Sequence, residues 1–87
     1  MSALSDLSNV GSVLHNNLLR IGVETPEQLR NIGAEEAFVR IRMQADPGAC
    51  LHMLYGIQGA IDGTPYKFLS IKEKERLKTF YYKLINV

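Results

Sequence analysis

Tryptophan is absent and cysteine occurs once, at Cys50. One cysteine excludes an internal disulfide, and a lone thiol suits a reducing compartment, where it is expected to act as a small buried hydrophobe. Lysine is missing from residues 1 to 66, which hold four Arg against seven acids, net −3. No apolar run is long enough to cross a bilayer, and no basic-plus-apolar leader follows Met1-Ser2-Ala3-Leu4. Nor does any segment of five or more residues alternate as a half-buried strand must. These absences predict an all-α, cytoplasmic protein with no membrane role.

What is present suits a small helical domain. The chain has 87 residues, 46% of them hydrophobic, which predicts one domain over residues 1–87 with a modest core. The charge of +1 gives no bulk attraction to nucleic acid, but it is unevenly spread. Residues 67 to 87 carry five Lys and one Arg against two Glu, net +4, so a basic segment closes a slightly acidic body.

Five main helices are expected, plus a short turn. Ahead of the five, Ser2 could cap a short first helix running to Leu7. In the next, Val10, Leu14, Leu18 and Ile21 fall at helical spacing, with Gly22 where a C-terminal glycine belongs. Thr25-Pro26-Glu27-Gln28 is a strong start signal: a cap, a proline at the first helical position and a capping-box glutamine. That helix should stop at Gly33, and another should begin at Ala34 with Ala37, Phe38, Ile41 and Ala45 inward. Asp46-Pro47 is expected to cap the next helix, where Cys50, Met53, Leu54, Ile57 and Ile61 share a face. After Gly63-Thr64-Pro65 and a short connector, Ser70-Ile71-Lys72-Glu73 reads as a second capping box. The last helix then turns Leu77, Phe80, Tyr81 and Leu84 inward.

One punctuation mark is used twice. LSNVG at residues 7 to 11 returns as LRNIG at residues 29 to 33. In each, the glycine should take a conformation costly for other residues, the asparagine tolerates the left-handed region, and Val10 or Ile32 should tuck into the core. This is the layout of a helix-hairpin-helix, or SAM-like, corner, with Asn9 and Asn31 in place of the usual first glycine. In DNA-binding versions the free N–H groups after the hairpin hold a phosphate, helped by the helix dipole. Ser12, Val13 and Leu14 follow Gly11, leaving that helix start open to an anion but without a cation to assist. Glu35 and Glu36 follow Gly33 and would repel a phosphate. The second corner is therefore read as structural, and Asn9, Val10, Gly11 and Ser12 as the candidate phosphate contact.

The runs GVETPEQLRNIGAEEAFVRIR and LHMLYGIQGAIDG resemble the C-terminal domain of the TfoX/Sxy competence regulators. Gly22, Thr25, Leu29, Gly33, Ala34, Ala37 and Arg40 match the first part of the family pattern. Leu54, Tyr55, Ile57, Gly59, Ala60 and Gly63 match the second. The resemblance spans about residues 5 to 85 and implies an all-α domain with helix-hairpin-helix-like corners. It also implies a link to DNA uptake through transcriptional activation, in some members together with the cyclic-AMP receptor protein. Longer members carry a separate α/β domain ahead of this one, so the chain is expected to be a stand-alone version or an excised piece. Many members have Trp in the connector where this chain has Tyr66.

Other chemistry is thin. Cys50, His52 and His15 lack a zinc-ligand spacing, so no metal or other cofactor is expected. No charged residue near Cys50 in sequence would activate it, and no acid pairs with a histidine for proton transfer, so no enzyme is expected. On the last helix Lys72, Arg76 and Lys83 fall in a narrow arc expected to face solvent opposite Leu77 and Leu84. They could follow a nucleic-acid backbone or meet an acidic partner. Tyr66, Phe68 and Tyr82 are candidates for an exposed protein interface. The expected function is a non-enzymatic binding module working mainly through a protein partner. Weak, sequence-independent DNA binding is the alternative, and a homodimer is a further possibility.

Overall fold

In a computed structural model, the described residues are 3–86. They form four α-helices: α1 (Ser12–Arg20), α2 (Pro26–Gln44), α3 (Leu51–Asp62) and α4 (Ile71–Ile85). A 3-10 turn at Leu4–Asp6 precedes α1, and another at Tyr66–Phe68 joins α3 to α4. No strand occurs among the described residues. The proposed Ser2 cap lies outside them.

Helix ends follow local chemistry. Thr25 Oγ1 accepts from the Gln28 amide at 3.1 Å, and Gln28 Oε1 accepts from the Thr25 amide at 3.2 Å, completing the capping box with Pro26 at the first helical position. Gly22, at φ 86°, ends α1 while the Val23 amide reaches back to Leu18 O at 2.9 Å. Gly63, at φ 72°, ends α3 in the same left-handed way.

The helix count is four rather than five. The Thr25-initiated and Ala34-initiated helices are one element, kinked at Gly33. Gly33 sits at φ 82° and ψ 165°, a region open essentially to glycine, so the chain bends there without a separating loop. The first expected helix is only the turn at Leu4–Asp6. Asp46-Pro47 does not cap α3. Asp46 Oδ1 instead accepts from the Gly48 amide at 3.0 Å, and Asp46 O from the Ala49 amide at 3.1 Å, which closes a turn. Arg42 reaches Ala49 O at 2.8 Å and pins that turn to α2. The start of α3 thereby moves to Leu51, leaving Cys50 at the cap position and exposed rather than buried.

The two NVG-like stretches build different corners. Asn9 takes the left-handed conformation at φ 70°, while Gly11 is ordinary extended backbone at φ −86°. In the second copy Asn31 is helical and Gly33 carries the positive φ. Val10 is buried as expected and Ile32 is half-buried against the core. No repeated helix-hairpin-helix corner results.

The core gathers Leu14, Leu18, Leu29, Phe38, Ile41, Leu54, Ile57 and Leu77. α2 and α3 share the largest helix–helix contact, and α4 lies on α3. Asn9 ties the N-terminal segment across this unit. Its Nδ2 donates to Thr64 O at 2.9 Å and Gly56 O at 3.3 Å, and its Oδ1 accepts from the Tyr66 amide at 2.9 Å. Gly59 makes room for it: a Cβ there would collide with Asn9 Nδ2 and Thr64 O. Gly59→Ala is therefore expected to lower stability by about 1–3 kcal/mol in urea unfolding. Gly56→Ala, whose Cβ would meet only Asn9 Cβ at an ordinary 3.6 Å, should be neutral or stabilising by up to about 1 kcal/mol.

Candidate functional site

The candidate phosphate contact is largely used by the fold. All three Asn9 bonds go to backbone groups of this chain, and Val10 is buried. Gly11 caps α1 without a side-chain bond, so the amides of the first turn from Ser12 stay open. They border a groove of about 550 Å³ that also takes in Val13, Cys50, His52, Met53 and Tyr66. α3 likewise starts there without a side-chain cap. His52 stands edge-on to both Tyr55 and Tyr66, with ring centroids 6.3 and 6.0 Å apart. No Lys or Arg lines the groove. It can receive apolar or aromatic groups, but it supplies no cation for a nucleic-acid backbone.

The basic arc on α4 is divided. Arg76 is not a free solvent-side charge. Its guanidinium pairs with Glu35 of α2 and bonds Glu73 at 3.0 Å and Gln58 Oε1 of α3 at 3.1 Å. Burial pulls the Arg76 pKa down, but the Glu73 hydrogen bond and the Glu35 and Glu73 charges outweigh it, leaving the pKa above its ordinary value. Lys72 and Lys83 are exposed, with no carboxylate bonded to either among the described residues. The arc lies on the flank of α4 that turns toward α2 and α3, not opposite the buried stripe. Arg76 meets α3 at Gln58 whereas Asn9 meets it at Gly56, so the two candidate DNA contacts approach that helix from different sides.

Glu73 also departs from expectation. Ser70 Oγ accepts from the Glu73 amide at 3.1 Å, but the Glu73 carboxylate turns to Arg76 instead of closing a second capping box. The sequence reading missed Glu35 and Gln58 as Arg76 partners. No local signal marks them, since they lie 41 and 18 residues away in the chain.

The aromatic candidates all reach the surface. Tyr66 and Phe68 belong to the second 3-10 turn, and Lys67 Nζ lies 5.4 Å from the Phe68 ring centre. Tyr82 packs edge-on against Tyr81 at 5.4 Å, and Tyr81 against buried Phe38 at 5.9 Å. Burial, and secondarily the neighbouring Tyr82 phenol, push the Tyr55 pKa up, so it stays a neutral donor toward Lys74 O at 3.5 Å. Sequence reading also missed two exposed aliphatics, Ile71 and Ile85; their spacing from Tyr82 on α4 was the available signal. Among the described residues no three of His, Cys, Asp or Glu gather, and no helix is long and apolar enough to cross a membrane.

Because Arg76 is partly open to solvent, its ion pairs are worth little individually. Arg76→Gln should cost about 0.5–1 kcal/mol in thermal unfolding at low salt. The difference should shrink in about 1 M salt, where screening removes most of the Coulomb gain.

Comparison with known proteins agrees with this architecture. A model of the TfoX C-terminal domain matches residues 1–81. The DNA transformation protein TfoX of Haemophilus influenzae is 32% identical over 77 residues, which cover 88% of this chain and 35% of that protein. The chain thus spans about a third of that relative's length. Two crystal forms, triclinic and tetragonal, of Listeria monocytogenes proteins of unknown function share the fold. The first has TM-score 0.92 and 37% identity over 95% of this chain and 93% of that one. The second has TM-score 0.89 and 38% identity over 93% and 98%. Most of the residues that carry the family pattern serve the backbone and core here: Gly22, Gly33 and Gly63 hold positive φ, Gly59 accommodates Asn9, and Leu29, Ala37, Leu54, Ile57 and Ala60 are fully buried. The chain belongs to the TfoX C-terminal domain family.

Proposed function

We propose that this chain is a non-enzymatic, cytoplasmic binding module in the regulation of DNA transformation, acting mainly through contact with a protein. The relative named as a DNA transformation protein supports the setting. One observation carries the mode of action. Asn9 and Arg76, two of the candidate phosphate contacts, are engaged inside the fold, while aromatic groups stand outside it. Asn9 is held by Gly56, Thr64 and Tyr66, and Arg76 by Glu35, Glu73 and Gln58. Tyr66, Phe68 and Tyr82 are exposed. Among the described residues no nucleophile stands beside a base, so nothing there favours an enzymatic reading.

Direct, sequence-independent DNA binding is the second reading. Exposed Lys72 and Lys83 favour it, together with the uncapped start of α1 at Gly11 and Ser12. It would lack a base reader and rest on few charges. Fluorescence anisotropy of a labelled duplex separates the two. The protein-contact reading expects no binding near physiological salt, and at low salt at most a weak signal with a log–log slope shallower than about −2. Micromolar binding near physiological salt, abolished by Gly11→Glu and by Lys72→Glu, would establish the DNA reading instead.

A further inference from the structure

α4 has a second organised face. Leu77, Phe80, Tyr81 and Leu84 turn inward. On the opposite side Ile71, Glu75, Lys78, Tyr82 and Ile85 recur at alternating four- and three-residue steps, the spacing by which one helix seats another. Ile71 is 75% exposed, Tyr82 45% and Ile85 38%. Phe68, on the turn before the helix, is 68% exposed. Single exposed apolar side chains are ordinary, but Ile71, Tyr82 and Ile85 share one helix face, with Glu75 and Lys78 between them.

The segment that carries that patch has an excess of positive charge. Lys67, Lys72, Lys74, Lys78 and Lys83 all belong to this segment, against Glu73 and Glu75. Glu73 is already engaged by Arg76. Near the end of α4, Lys78, Thr79, Tyr82, Lys83 and Asn86 surround a depression of about 460 Å³. Lys78 and Lys83 both line it, so a carboxylate seated there would have a cation on either side.

We propose that the outer face of α4 docks an acidic amphipathic helix of a protein partner. Its apolar stripe would lie along Phe68, Ile71, Tyr82 and Ile85, and a carboxylate would sit between Lys78, Lys83 and Tyr82. This rests on the protein-contact reading and names the partner's chemistry. A second copy of the same face suits it poorly, because the lysine-rich flanks would oppose each other. DNA suits it poorly too, because phosphates gain nothing from Ile71 and Phe68. A 15-residue helix is about 22 Å long, so the pairing buries less than about 1,200 Å², the range of transient contacts.

The test uses the whole chain and two synthetic helical peptides, one patterned with Leu and Glu, the other with each Glu replaced by Lys. The acidic peptide should bind with micromolar affinity, at least tenfold tighter than the basic one. Ile71→Asn should weaken it about tenfold, and Lys78→Glu with Lys83→Glu should also weaken it. Met43→Asn, a charge-neutral change at a 79% exposed site on α2, should not. Circular dichroism melts would confirm that all variants fold. Equal binding of both peptides, binding of neither, or equal effects of Ile71→Asn and Met43→Asn would overturn the proposal while leaving the protein-contact reading standing. A dimer in sedimentation that Ile71→Asn dissolves would overturn it in favour of a second copy. Duplex DNA binding lost with Lys78→Glu but kept with Ile71→Asn would overturn both readings.

Discussion

A single asparagine sets how the N-terminal segment meets the rest of this domain. Asn9 adopts a backbone conformation that most residues resist, and its amide then satisfies three backbone groups from the α3 helix and the loop after it. Thr64 O and the Tyr66 amide lie outside the helix ladder and would otherwise need water. The arrangement demands a missing side chain on the other partner, which Gly59 supplies. Removal of either feature would alter the approach of α1 to α3, and with it the groove between their first turns.

The same economy governs α4. Leu77 is its one fully buried anchor, with Phe80, Tyr81 and Leu84 half-buried beside it. Arg76 ties its flank to two other helices through Glu35 and Gln58. An arginine fits this task because its planar fork can address several acceptors at once. The consequence for function is a division of charge. Arg76 is paired with Glu35 from the acidic half of the chain, whereas Lys72 and Lys83 on the same flank and Lys78 on the outer face stay exposed. The proposed protein contact would use the outer face, where Lys78 stands among Ile71, Tyr82 and Ile85.

Local signals were legible in the sequence and long-range ones were not. The Thr25 capping box, the Gly22 stop and the buried sides of the helices rest on residues within one or two turns of each other, so spacing alone reveals them. Asn9 was marked as a turn residue for its tolerance of positive φ, which it shows. Its side-chain partners lie 47 to 57 residues away, where no periodicity points. The exposure of Cys50 was misread for a similar reason: the Asp46 turn and the Arg42 bond to Ala49 displace the start of α3, and only tertiary packing decides that. At Gly33 the backbone leaves helical geometry as the glycine signal implies, but no loop follows, so the two expected helices abut as the single kinked element α2. Lys72, Arg76 and Lys83 do share one arc of α4, but it lies on a flank and not opposite Leu77 and Leu84, and only the positions of α2 and α3 show that Arg76 is engaged there.

The central claim is that Asn9 serves the fold and is not held open for a ligand. Hydrogen exchange of the Tyr66 amide tests it most directly, because that exposed turn residue donates to Asn9 Oδ1. The account predicts protection of at least about a hundredfold over the intrinsic rate, lost selectively in Asn9→Gly. Exchange at the intrinsic rate in the unaltered protein would contradict it, and would return Asn9 to the set of groups free to meet a phosphate.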